Sequence, residues 1–141
     1  MIIDTRVASW ERDAQAMRRV RHEVFVVEQN VPPDLEWDGE DEACRHAIAL
    51  IDGKCVGTGR LSPGGKIGRM AVVSSARGRG IGSALLEKLV EMAASAGMAR
   101  VYLNAQTHAL DFYARHGFVA EGPEFDEADI AHRRMVRLLS S

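Results

Sequence analysis

A basic excess is what this sequence most plainly lacks. Its 141 residues carry 18 Lys and Arg against 20 Asp and Glu, a formal charge of −2. That excludes the positive footprint of a non-specific nucleic-acid binder. Cysteine is scarce: Cys44 and Cys55 are the only two. They are too few for a disulfide framework and are not spaced as CxxC, so two free thiols in a reducing cytoplasm are expected. No apolar run approaches the ~20 residues of a membrane span. Asp4, Arg6 and Glu11 interrupt the start of the chain, so no signal peptide is expected. The histidines, His22, His46, His108, His116 and His132, form no HExxH, and Cys44-Arg45-His46 has no second ligand pair. No metal is expected. What is present is ordinary for a folded chain: 46% apolar and 27% charged residues exclude disorder. One domain over residues 1–141 is the expectation at this length.

Periodicity and turn chemistry outline the elements. Ile2 to Ala8 reads as a short strand. Glu11 to about Gln29 reads as a helix on Met17, Val20, Val24 and Val27, with a break or restart at the β-branched run Val24–Val27. Pro32, Pro33 and Gly39 mark a loop from Val31 to Glu42. Strands His46–Ile51 and Lys54–Leu61 flank Asp52-Gly53, a hairpin signal. After Ser62-Pro63-Gly64-Gly65, Lys66–Val73 is a third antiparallel strand. Ile81, Leu85, Leu89, Ala93 and Ala96 define an amphipathic helix that Gly97 ends. Arg100–Ala105 is a strand, Thr107 is expected to cap a short helix to about His116, and strands begin at Phe118 and Arg133. The order predicts an α/β (α+β) fold with a mixed sheet and helices packed on it.

The chemistry concentrates where the third strand meets the long helix. Between them runs Arg77-Gly78-Arg79-Gly80-Ile81-Gly82-Ser83. Glycines let successive N–H groups point into one concavity, the helix start adds free N–H groups and its positive dipole end, and Arg77 and Arg79 add full charges. A pyrophosphate fits these features. A P-loop fails on spacing, since Gly65-Lys66 is followed by Ile67 and Arg60 stands where the first glycine belongs. A dinucleotide fingerprint fails because the third glycine is misplaced.

Arg77, Gly80 and Gly82 do fill Arg-x-x-Gly-x-Gly. Farther on stand Val101-Tyr102-Leu103-Asn104 and Phe112-Tyr113-Ala114-Arg115-His116-Gly117-Phe118. In this order the chain resembles the GNAT superfamily of N-acetyltransferases over nearly its whole length. Val24-Phe25-Val26-Val27-Glu28-Gln29, Glu36-Trp37-Asp38 and Ile130-Ala131-His132-Arg133-Arg134-Met135 resemble its ElaA-like branch. The resemblance implies a mostly antiparallel central sheet flanked by helices, and acetyl-CoA as cosubstrate. It implies that Met70, Ala71 and Val72 lie along the pantetheine arm, that residues 77–83 hold the diphosphate, and that Phe112 borders the cofactor. Asn104 would bond the pantetheine or place the acceptor. Tyr113 matches the general acid that meets the departing thiolate.

The base is less defined. No carboxylate lies on Lys66–Val73, where some members keep one. Glu28, Glu36, Asp38, His108 and His132 are the candidates, directly or through water, and His132 lies in a segment whose Gly and Pro are replaced by Asp129 and Ala131. The run from Asp34 to Glu42 holds six carboxylates and no basic residue. It is either a solvated acidic loop or a surface that draws a cationic amine onto Trp37, with Glu28, Glu36 and Asp38 as tentative substrate contacts. The expected activity is acetyl transfer from acetyl-CoA to a primary amine of a small molecule or peptide, by direct attack in a ternary complex. The alternatives are a non-catalytic acyl-CoA sensor and an interaction module on the same fold. The oligomeric expectation is a monomer, or a homodimer through an exposed last strand.

Overall fold

The computed structural model describes residues 2–139, without the side chains of Asp34 and Leu35. Four strands make the first sheet: β1 (Ile3–Ala8), β2 (Arg45–Ile51), β3 (Lys54–Leu61) and β4 (Ile67–Val72), in that spatial order and antiparallel throughout. Helix α1 (Trp10–Arg21) and helix α3 (Ile81–Ser95) pack on this sheet, and a one-turn helix α2 (Pro33–Glu36) lies between β1 and β2 in the chain. Seven consecutive residues of β3, Cys55 to Leu61, are buried, as expected for a strand covered on both faces. Met17 and Val20 of α1 and Leu85, Leu86 and Leu89 of α3 are fully buried. Each such side chain contributes about 1.5–3 kcal/mol of transfer free energy.

The expected break in the first helix takes a specific form. After Arg21 the chain keeps winding but loosens into a π-helical segment, His22–Glu28, with Gln29 N–H donating to Val24 O at 3.1 Å.

The second sheet holds β5 (Arg100–Gln106), β6 (Val119–Glu127) and β7 (Ile130–Leu138) in the order β5-β7-β6, again antiparallel. Among the described residues, one bridge links the two sheets. Lys66 and Tyr102 form a parallel bridge, and Tyr102 N–H donates to Gly65 O at 3.0 Å. Gly65 has φ +94°, and a Cβ there would stand 2.8 Å from Arg100 O. Only glycine lets the strands meet so closely. Beyond this point β4 and β5 diverge, and the gap between them is the structural origin of the site.

Three expectations change. Thr107 caps nothing: it opens a 3₁₀ turn, Thr107–Ala109, and α4 (Leu110–Ala114) starts from Ala109 without a side-chain cap. The last strand begins three residues earlier than expected, at Ile130, because Ala128 (φ +52°) and Asp129 (φ +62°) close a two-residue hairpin turn. It is also not an exposed edge, since β7 is hydrogen-bonded on both sides. Its proposed use in a dimer therefore has no free ladder to work with.

Candidate active site

Two clefts lie end to end along β4. The first, of about 770 Å³, runs from Met70, Ala71 and Val72 to the turn at Arg77, Gly78, Gly80, Ile81, Gly82 and Ser83, with Phe112 on the far wall. Gly80 sits at φ +76° and its carbonyl accepts the first helical bond, from Ala84 N–H at 3.1 Å. Among the described residues, the amides of Gly78, Gly80, Ile81, Gly82 and Ser83 show no backbone acceptor. This is the open row of donors expected at a helix start. Phe112 is oriented by edge contacts with Tyr113 and His116, at centroid distances of 5.1 and 5.2 Å.

Not every expected group faces this cleft freely. Arg77 forms a double ion pair with Glu28, both contacts 2.6 Å, and its Nε donates to Val72 O at 2.9 Å. The guanidinium holds the Glu28 carboxyl below its ordinary value. Ser83 Oγ is within hydrogen-bond distance of His116 Nε2 at 3.0 Å. Arg79 is exposed and does not line the cleft.

The second cavity, of about 530 Å³, follows β4 in the other direction, from Met70 back to Lys66. Asn104, Gln106, Tyr113, His132 and Glu127 line it opposite β4, and Phe25 closes one end. Asn104 and Gln106 share one face of β5, and His132 stands opposite Gln106 on β7. Met70, Gln29, Gln106, His108, Ala109 and Ile130 border both clefts, and Gln106 Nε2 donates to Gln29 Oε1 at 3.1 Å across their junction. Beside that junction β4 carries an extra residue relative to β3, with Arg69 at φ +50°. A bulge of this kind takes backbone groups out of the ladder and re-aims neighbouring side chains.

His132 is buried. Its Nδ1 lies 2.7 Å from Ile130 O, and a carbonyl only accepts, so Nδ1 carries a proton and Nε2 is the nitrogen through which the ring can take up or release one. Nε2 is 3.6 Å from Glu127 Oε2, and the ring stacks on Phe125. Burial raises the Tyr113 phenol above its ordinary value, so the hydroxyl keeps its proton at neutral pH.

Three carboxylates of the acidic run are taken up by three arginines from other segments, while Glu40 and Glu42 are exposed. Arg21 meets Glu36 at 2.6 Å and Asp41 at 2.7 Å; Arg60 meets Asp38 at 2.7 Å and Asp41 at 3.0 Å; Arg69 meets Glu36 and Asp38 at 3.1 Å each. The arginines hold Asp38 well below the usual carboxylate range, while burial raises Glu36 even against Arg21 and Arg69. Trp37 is stacked on Arg21 at 4.7 Å, so that ring face is taken. Trp37 and Asp38 lie outside the second cavity, and Glu36 alone of the three lines it. Of the base candidates, Glu28 sits in the first cleft, Asp38 is locked to arginine, Glu36 lines the second cavity bound to two arginines, His108 borders both, and His132 faces the second cavity.

Sequence reasoning missed Lys66, Arg69, Gln106 and Glu127 as lining residues. Gln106 was findable, because it lies two residues beyond Asn104 and strand side chains repeat with period two. Glu127 needed the Ala128-Asp129 turn, which lacks the usual Gly or Asn signal.

The comparisons agree with this geometry. The model of the acetyltransferase (GNAT) domain matches residues 12–139. An uncharacterized N-acetyltransferase of Bacillus subtilis, YjcF, is 40% identical over 84% of this chain and 87% of its own length. The crystal structure of an acyl-CoA N-acyltransferase from Pseudomonas aeruginosa is 35% identical, with a TM-score of 0.86 over 96% of this chain and 99% of that one. Escherichia coli ElaA is 28% identical, with a TM-score of 0.87 over the same shares of each chain, 96% and 99%. The splayed sheets, the glycine turn and these likenesses together make the chain a member of the GNAT acetyltransferase family.

Proposed function

We propose that the protein transfers an acetyl group from acetyl-CoA to a primary amine of a small molecule or peptide, by direct attack in a ternary complex. The observation that carries this reading is the pair of clefts meeting at Met70: one ends in an anion cradle, the other in a polar cavity. The amides of Gly78, Gly80, Ile81, Gly82 and Ser83, which show no backbone acceptor among the described residues, suit a diphosphate, and the diverging edge of β4 at Met70–Val72 suits an extended, amide-bearing arm. Bound there, acetyl-CoA supplies an activated acetyl thioester.

The chain's own residues do the rest. Gln29, Asn104 and Gln106 offer polar groups that orient the acceptor at the junction. An amine of pKa ~8–10 reaches the site mostly protonated and must lose a proton before it attacks. His132 Nε2 takes that proton, since Nδ1–H is committed to Ile130 O, and Glu127 steadies the resulting imidazolium. Tyr113 donates its O–H toward the departing sulfur. A phenol above ~10 against a thiol near ~8.5 makes this a hydrogen bond to developing charge rather than full transfer.

The test is thiol release from acetyl-CoA with a panel of primary amines. Release above background with at least one amine is expected. CoA binding without release favours an acyl-CoA sensor, and no binding removes the cofactor assignment.

A further inference from the structure

We propose that the acceptor is a zwitterion: an amine that carries a carboxylate several bonds away, bound with the carboxylate at Lys66 and the amine at the Glu127–His132 end. The proposal rests on reading the Lys66–Met70 cavity as the acceptor site.

The argument is one of charge that remains after neighbours cancel. Arg69 and Glu36 line the cavity, but both belong to the cluster in which Arg21, Arg60 and Arg69 face Glu36, Asp38 and Asp41. Both are therefore already engaged with charged neighbours rather than open to a ligand. Two charged side chains of the lining are left. Lys66 makes no ion pair with any described residue, and it is partly buried at the closed end where the two sheets touch. Glu127 stands at the other end, where its ion-pair neighbour among the described residues is the His132 ring.

One ruler separates these ends: Tyr102, the bridge partner of Lys66, is four residues along β5 from Gln106, the residue opposite His132. Four steps of strand rise correspond to about 13 Å. The flexible Lys66 stem spans part of that interval, and the ligand spans the remainder. A polycationic amine would meet an uncompensated ammonium at the closed end and be disfavoured there. A ligand with an anion at that end pairs with it in a partly desolvated site, where such a contact outweighs its surface equivalent.

Three acceptors isolate the charge: Nα-acetyl-lysine, its carboxamide, and the diamine cadaverine. Each offers a side-chain-type primary amine, and they differ in what stands at the far end. Initial rates of thiol release and calorimetric titration of the CoA-bound protein are both read. The wild type should prefer the acid to the carboxamide at least tenfold, both in kcat/KM and in Kd. Lys66→Ala should bring that ratio close to one, chiefly through KM, and Lys66→Glu should reverse it. Lys66→Arg should keep it. Equal or better use of the carboxamide or the diamine by the wild type overturns the proposal, as does a ratio that survives Lys66→Ala, or binding of none of the three. Transfer to the diamine without acid preference removes this proposal and leaves acetyl transfer standing. Selective binding of the acid without transfer does the reverse.

Discussion

The two ends of β4 are built on different principles. The cleft toward the glycine turn draws most of its wall from one contiguous stretch, Met70 to Ser83, and offers mainly backbone groups. The cavity toward Lys66, the proposed acceptor site, draws on five separated stretches, around Phe25–Glu36, Lys66–Met70, Leu103–Gln106, His108–Tyr113 and Glu127–His132, and offers side chains. A shared ligand needs only a local backbone shape, which few residues specify. A particular acceptor needs side chains aimed from several elements, which only a completed fold can aim. The Arg21–Glu36–Arg69 cluster belongs to the second end and shows what that costs: buried charge held in place by other buried charge.

Substitutions at the two ends sharpen the contrast. Gly80→Glu forces a side chain onto a φ of +76° and sets a carboxylate at the anion cradle. CoA binding, read by calorimetry, should weaken by roughly 100-fold or more. A dissociation constant close to the wild type's breaks the assignment of that end. Arg21→Ala strips Glu36 and Asp41 of a buried partner, and chemical denaturation should register a loss of about 3–5 kcal/mol. A loss under about 1 kcal/mol, the range of a surface pair, would mean the cluster is not structural. Tyr113→Phe should lower kcat by about tenfold or more and leave CoA affinity in place. Wild-type turnover in that variant takes Tyr113 out of the chemistry. The smallest effect is expected from Glu28→Gln, which frees Arg77 for the diphosphate. The pair is about two-fifths exposed on each side, so CoA affinity should rise only about two- to fivefold. Weaker binding would show that Glu28 serves the turn by ordering Arg77.

Much of the scaffold was legible because its signals are local. The Asp52-Gly53 hairpin, the helical stripe of Ile81, Leu85 and Leu89, and the glycines after α3 and before β6 all appear where pattern and turn chemistry put them. The loosening after Arg21 was signalled by its β-branched run, although the π-helical form it takes was not. Thr107 misled because a cap residue at the right spacing still needs a helix to start beside it, and here a 3₁₀ turn intervenes.

The sequence alone determined the glycine-rich bend at residues 77–83, which needs only its own glycines and the helix that follows it. The tertiary structure decided everything that depends on distant chain segments meeting. It placed β7 between β5 and β6, so that His132 faces Gln106 and a cavity rather than solvent. It brought Arg21, Arg60 and Arg69 into an acidic run that contains no base of its own, and left Lys66 the unpaired cation among the described residues of the cavity. Spacing along a chain carries backbone geometry, but the balance of charge in a cavity is a property of neighbours in space.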